Sequence, residues 1–507
     1  MKKIFYNTLT LIAGLTLLAS CDLEKYPDTA INKDEAMESP ADCNNFLTGL
    51  YASTKTIYSG FYTYSTDLMT DCYHAIKNFG NWDGEFYHYD IVASNSNVET
   101  VWNNFYAYIG NANFLISGTQ KLLEGGTLSS ADEATVQEYY GEACFLRALM
   151  YFKLTEYFCK AYDKSTAEAT FGVPVVTEYA PTAVSSKYPH RGTLAATYAQ
   201  IDKDLTEAEK YVTNAGSANS KFVNKDIVTA LRARFALSAQ DYTTAYEKAS
   251  SLIEGKKYAL VTDAEAFAEG WINDNLSETL WQPIIVDASD GGSANSYFLH
   301  NTSGAAGADD PQYFPEDWVL KLYDSASDIR YSAYFEKRTI NIRGNNGDLV
   351  VLIKFPGNPK LNTSGASRYV NMPKIFRISE MYLIAAEAAY NSGKESVASD
   401  VLNDLKSARI TGWKKTTYLG TALQKEIRDE RVRELFGEGF RLSDLKRWHI
   451  GFSRTAGQNP SMVQPGENYA SLTLPADSPK FVWPIPTSEI SANPQMKGEQ
   501  NEGYTTE

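Results

Sequence analysis

The sequence predicts a mostly α-helical protein: a helical scaffold built from paired helices, with an irregular, loop-rich lobe containing short β-hairpins. Three observations predict it. Apolar residues recur at helical spacing over long windows, as at Trp102, Phe105, Tyr106 and Ile109. Alanines stand where two helices must approach closely, as at Ala236, Ala245 and Ala249. Two stretches, 57–97 and 256–372, lose the helical period and fill with Tyr, Asn, Asp and Gly.

The N-terminus comes first. Lys2 and Lys3 precede a mostly apolar run, 4–18, too short for a membrane span. Residues 1–20 therefore read as a signal peptide. It ends in Leu18-Ala19-Ser20-Cys21, which is similar to the lipobox of bacterial lipoproteins. Cleavage would leave Cys21 to carry acyl chains, each buried CH₂ contributing roughly 0.8 kcal/mol to anchoring. Residues 21–40 then form the lipidated cysteine and an extended polar leader, and 41–507 one large domain.

Within that domain a helix begins near Asp42, and strong periodicity follows over 101–123 and 135–158. Helices over 194–211, 226–239 and 242–253 come next, the last two split only by Gln240-Asp241. Residues 375–391 and 395–410, joined at Ser392-Gly393, repeat that design. Such alanine-rich helix pairs resemble tetratricopeptide repeats, without a regular period. Thr339 to Arg343 and Leu349 to Ile353, around Gly344-Asn345-Asn346-Gly347, read as a β-hairpin.

Composition narrows the function. The formal charge is −15, and loss of Lys2 and Lys3 leaves −17, which repels nucleic acid and anionic headgroups. Cys43, Cys72, Cys144 and Cys159 form no C-x-x-C pair, so they read as free buried thiols, with Cys144 and Cys159 half-buried on one long helix. Five scattered histidines offer no metal-ligand spacing, and neither a nucleophile elbow nor a phosphate loop is present. No cofactor or metal is expected; Asp287-x-x-Asp290-Gly291 and Asn273-Asp274-Asn275 are too weak a pattern for calcium.

The densest pattern lies between Glu426 and Trp448, where acids and bases alternate at helical spacing. Glu430, Glu434 and Glu438 fall beside Arg431 and Arg441 on one face. As catalytic acids they would need raised pKa values, whereas a neighbouring guanidinium pushes a carboxyl down. The stretch reads as a structural lock.

In combination these segments resemble the SusD/RagB nutrient-binding outer-membrane lipoproteins of Bacteroidetes. The resemblance runs through Cys21, Trp102-x₃-Tyr106-x₂-Ile109, Glu142-Ala-x₂-Leu146-Arg147-Ala148, Gly172-Val173-Pro174, Arg377 to Ala388, the charged stretch, and Trp483-Pro484-Ile485-Pro486. It implies a non-enzymatic, lipid-anchored surface protein that binds oligosaccharides or polysaccharides and passes them to a SusC-like TonB-dependent transporter. It also implies that Glu387, Arg431, Glu434, Arg441 and Trp448 are structural. A tethered glycoside hydrolase, or a scaffold binding only protein, are the alternatives.

Sugar recognition needs flat apolar rings for C–H faces and polar groups for hydroxyls. Trp82, flanked by Asn81 and Asp83, is the first candidate platform; Tyr297 and Tyr313 are the next. Tyr64, Tyr73 and Tyr87 are weaker ones.

Overall fold

Polar side chains that accept from free helical amides precede most of the long helices, and they set the element boundaries. The computed structural model describes residues 36–78, 82–287, 290, 298, 311–342, 344–361, 369–454, 457–464 and 472–505. The signal segment, Cys21, Asn81 and Tyr297 lie outside the described residues.

Helix α1 (Pro40–Ile57) starts at Ser39, whose hydroxyl accepts from the Asp42 amide. Next come α2 (Phe61–Leu68), strand β1 (Tyr73–Ala75) and α3 (Gly84–His88). The longest helices, α4 (Ser96–Glu124) and α5 (Ser130–Phe158), are capped by Asn95 and Ser129 and pack on each other. Helix α6 (Leu194–Tyr211) covers α5. Helices α7 (Lys225–Ser238) and α8 (Tyr242–Glu254) form a pair turned at Gln240, whose φ of 58° closes the corner.

The second lobe begins with α9 (Ala264–Ile272), β2 (Thr279–Trp281), β3 (Tyr313–Pro315) and α10 (Asp317–Leu320). It continues through α11 (Ile329–Tyr334), the hairpin β4 (Phe335–Ile342) and β5 (Asn345–Leu352), and β6 (Phe376–Arg377). The chain then returns to the scaffold as α12 (Ile378–Asn391), α13 (Glu395–Arg409), α14 (Gly420–Leu435) and α15 (Arg441–Arg447). Strands β7 (Phe452–Ser453) and β8 (Thr473–Leu474) and helix α16 (Thr487–Ala492) close it.

Helix α12 packs on α8, α13 and α14, so the two helix pairs stack through one element. Its Ala385, Ala386, Ala388 and Ala389 are fully buried, which lets the backbones approach. The repeat-like scaffold expected from the alanines is therefore present.

Three expectations needed correction. Residues 57–97 are not wholly irregular, because α2 and α3 form there. The hairpin turn is tighter than Gly344–Gly347: Ile342 pairs with Asn345, so Asn345 to Gly347 join the strand. All four described cysteines are free and fully buried, Cys144 and Cys159 included. Burial lifts the Cys43 thiol to about 11 and the Cys144 thiol to about 12.

The charged stretch lies between scaffold and lobe; spacing supplies some of its pairs, such as Glu430 with Arg433 at 2.7 Å, but most of its buried acids are held by bases from other elements. Glu434, fully buried on α14, accepts from Arg377 at 2.7 Å, Arg409 at 2.9 Å and Arg330 at 3.0 Å. Glu430 takes Arg330 at 2.6 Å, and Glu438 takes Arg377 and Lys354, both at 2.6 Å. Arg431 pairs instead with Asp444, and Arg441 with Asp71 at 2.7 Å. Burial pushes Glu430 up, yet Arg330 and Arg433 overcome it and hold the carboxyl near about 2. Glu434 is likewise held well below the usual carboxylate range. Neither can store a proton at neutral pH. These acids are structural.

Candidate ligand-binding site

Trp82 and Asp83 form the turn into α3, and the surrounding core fixes that turn from three sides. From β3, the Tyr313 hydroxyl donates to the Trp82 carbonyl at 2.8 Å. The Tyr64 hydroxyl on α2 donates to Asp83 Oδ2 at 2.8 Å, and Asn97 Nδ2 on α4 donates to Asp83 Oδ1 at 3.0 Å. Asp83 holds a left-handed φ of 49°, a conformation that short polar residues tolerate best. The Trp82 side chain is half-buried.

Beneath the turn, aromatic packing makes the support rigid. Strand β3 runs antiparallel to β1, with Tyr313 opposite Ala75. The Tyr313 ring lies 5.4 Å from that of Tyr87. Phe86 of α3 meets Trp483 at 5.0 Å, and Trp483 also meets Tyr157 of α5 at 4.7 Å. The Trp483 amide donates to the Tyr157 carbonyl at 2.8 Å. Thus the Trp-Pro-Ile-Pro segment clips α3 to α5.

This arrangement separates the sequence candidates. Trp82 and Asp83 are together at the surface turn. Tyr313 is 0% exposed, as are Tyr73 and Tyr87, and Tyr64 is 4% exposed. None of these four offers a ring face to solvent. Tyr313 and Tyr64 position the turn, and Tyr73 stacks on Phe298 and Phe436 inside the core. The calcium patterns are also accounted for, since Asp290 pairs with Lys55 at 2.5 Å and Asp274 with Lys374 at 3.0 Å. Among the described residues, no group of three or more His, Cys, Asp or Glu side chains could hold a metal.

Two surface clefts escaped the sequence reading: the first is lined mainly by helix residues whose apolar period reads as scaffold, and the second is assembled from turns far apart in the chain. One, of about 200 Å³, lies between α8, α12, α14 and the end of α15, and is lined by Tyr242, Tyr390, Arg428 and Trp448 among others. Another, of about 250 Å³, is lined by Lys160, Asp163, Lys446, Asp477 and Phe481 among others. The only sequence signal for the first was that Arg428 has no acid three or four residues away.

Two family models cover most of the chain. Residues 329–504 match the SusD family, and residues 23–237 match the family described as starch-binding and associating with the outer membrane. A SusD-like protein of Formosa agariphila is 22% identical over 99% of this chain and all of its own. The starch-binding protein SusD of Bacteroides thetaiotaomicron is 24% identical, covering 81% of this chain and 79% of its own. A crystal structure of a SusD superfamily protein from Bacteroides thetaiotaomicron superposes with a TM-score of 0.77 at 28% identity, covering 91% of this chain and 99% of that one. The two family models, which together span most of the chain, and the shared helical fold place the chain in the SusD family.

Proposed function

We propose that this protein binds oligosaccharides or polysaccharides at the cell surface and delivers them to a SusC-like TonB-dependent transporter, without acting on them chemically. Acyl chains on Cys21 would anchor it in the outer membrane. The observation that carries the ligand reading is the Trp82 turn, where a half-buried indole stands on a peptide gripped by Tyr313, Tyr64 and Asn97. A ring held this way gives a sugar's C–H face a surface that costs little to order. Asp83 already accepts two internal hydrogen bonds and has lone pairs left for a sugar hydroxyl. Asn81 and Tyr297 remain proposed glycan-binding residues.

The non-enzymatic reading is supported by the acids. Glu430, Glu434, Glu438 and Asp444 of the charged stretch are held ionised by neighbouring bases, and the two carboxyls raised furthest, Asp67 and Glu142, are both buried. The name of the Bacteroides thetaiotaomicron relative and the description of the N-terminal family model support starch or a related glycan as the ligand class. The test is affinity electrophoresis of the soluble form, lacking residues 1–21, against purified polysaccharides. At least one polysaccharide should retard the protein, and Trp82→Ala should abolish most of that retardation with its helical spectrum unchanged. Shortened polysaccharide after incubation would sink the non-enzymatic reading.

A further inference from the structure

The cleft between α8, α12, α14 and α15 contains one guanidinium too many. Around it, Glu387 and Asp444 face Arg431 and Arg447. Arg447 donates to Glu387 at 2.7 Å and to Asp444 at 2.9 Å, and Arg431 donates to Asp444 at 3.0 Å. Trp448 Nε1 completes Glu387 with a 2.7 Å bond. That quartet is neutral, two acids against two bases.

Arg428 is outside it. Its helical neighbours are Gln424, Lys425, Arg431 and Val432, none of them acidic. Its side chain makes no hydrogen bond or close ion pair with any described residue, and the Glu387 carboxylate of the same cleft, already held by Arg447 and Trp448, attracts it only at longer range. The guanidinium instead rests over the Trp448 ring, 5.1 Å from its centre, and the side chain is half-buried. The phenols of Tyr242 and Tyr390 and the amide of Gln424, which line the same cleft, also have no hydrogen-bond partner among the described residues. Partly desolvated donors without acceptors are unfavourable unless a ligand or water supplies them.

We infer that this cleft is a second ligand site, separate from the Trp82 turn, and that it takes a single carboxylate carried on a sugar ring, a uronate. The cleft of about 200 Å³ is below the roughly 300–1,000 Å³ of larger ligand sites, so it fits one ring-sized group. Arg428 presents a planar fork that matches a carboxylate, fixed in place by the indole below it. Phenols and amides both donate and accept, which suits ring hydroxyls. The lining is more polar than apolar, which disfavours the apolar side chains of a peptide. The neighbouring cleft does not extend the site, because Asp163 and Asp477 there balance Lys160 and Lys446.

The experiment is calorimetric or NMR titration of the soluble protein with di- and trigalacturonate, with the matching neutral galactosides as control. The uronates should bind saturably and the galactosides should not. Arg428→Gln should weaken the uronate at least about tenfold, the effect of losing a charge-assisted pair. Its melting temperature should stay at the parent value, because no ion pair is lost. Tyr390→Phe provides a milder second variant, with a smaller loss of affinity. Trp82→Ala should leave uronate binding unchanged, which keeps this site distinguishable from the proposed glycan platform. Absence of uronate binding, or equal binding by Arg428→Gln, would overturn the assignment. So would preferential capture at Arg428 of a short peptide through its C-terminal carboxylate.

Discussion

The hydroxyl of Tyr313 donates to the backbone carbonyl of Trp82 at 2.8 Å, across 231 residues of chain. A buried ring on a core strand therefore fixes the peptide that carries the half-buried candidate ring. Removing that bond while keeping the ring, as Tyr313→Phe does, should cost about 1 kcal/mol of stability. It should also weaken glycan binding several-fold through a loosened turn. Titration beside urea unfolding checks both; unchanged affinity would mean the turn holds itself.

Glu434 is the shared anion of Arg330, Arg377 and Arg409. Glu434→Gln keeps its shape and removes its charge, leaving three buried guanidiniums short of a partner. Removing one member of a buried ion network typically costs about 3–5 kcal/mol. Urea unfolding should show a loss of that order, and a change below about 1 kcal/mol would show that the network contributes little.

The Trp483 indole is fully buried between α2, α3 and α5. Trp483→Ala should cost about 3–5 kcal/mol by leaving a cavity. If the clip also holds the Trp82 turn, glycan binding should fall with it, and unchanged binding by a folded Trp483→Ala protein would show that the turn holds without the clip.

Burial raises Asp67 to about 7, although the Gly439 amide donates to it at 3.1 Å. The folded chain keeps this proton where the unfolded carboxyl, near about 4, has released it. The stabilising contribution is complete below about pH 4 and is lost as the pH rises through about 7. Asp67→Asn keeps the acceptor and cannot ionise. Its melting temperature should match the parent at pH 4 and exceed it increasingly up to pH 8. A constant difference across that range would contradict the assignment.

The long helices were legible from their apolar period, and the Gln240 corner divides α7 from α8; the first turns of α4 and α5, opened by Asn95 and Ser129, lie five residues before the periods at 101 and 135 because capping turns carry polar residues. Helix α3 was not legible, since five residues opened by a left-handed Asp83 leave no periodic trace. The charged stretch could be identified as structural, but its partners could not be named. Arg330, Arg377 and Arg409 reach Glu434 from other elements, and helical spacing reports only neighbours on one helix. The site divided the same way. Trp82 stands in a polar loop, a local signal, whereas the burial of Tyr313 depends on pairing with β1. Arg428 was hidden because an unpaired base in a charged helix is noticed only once every other base has found its acid.

The reach of Glu434 also bears on the order in which the chain can fold. Its three guanidiniums come from positions 104, 57 and 25 residues earlier, and Arg409 ties in Glu278, 131 residues before itself. None of these cations can be neutralised by this anion until residue 434 has been synthesised. Long-range contacts of this kind slow folding and defer it. The emerging chain thus lacks its central counter-ion until α14 has been made, and the arrival of that helix joins cations of both lobes at once.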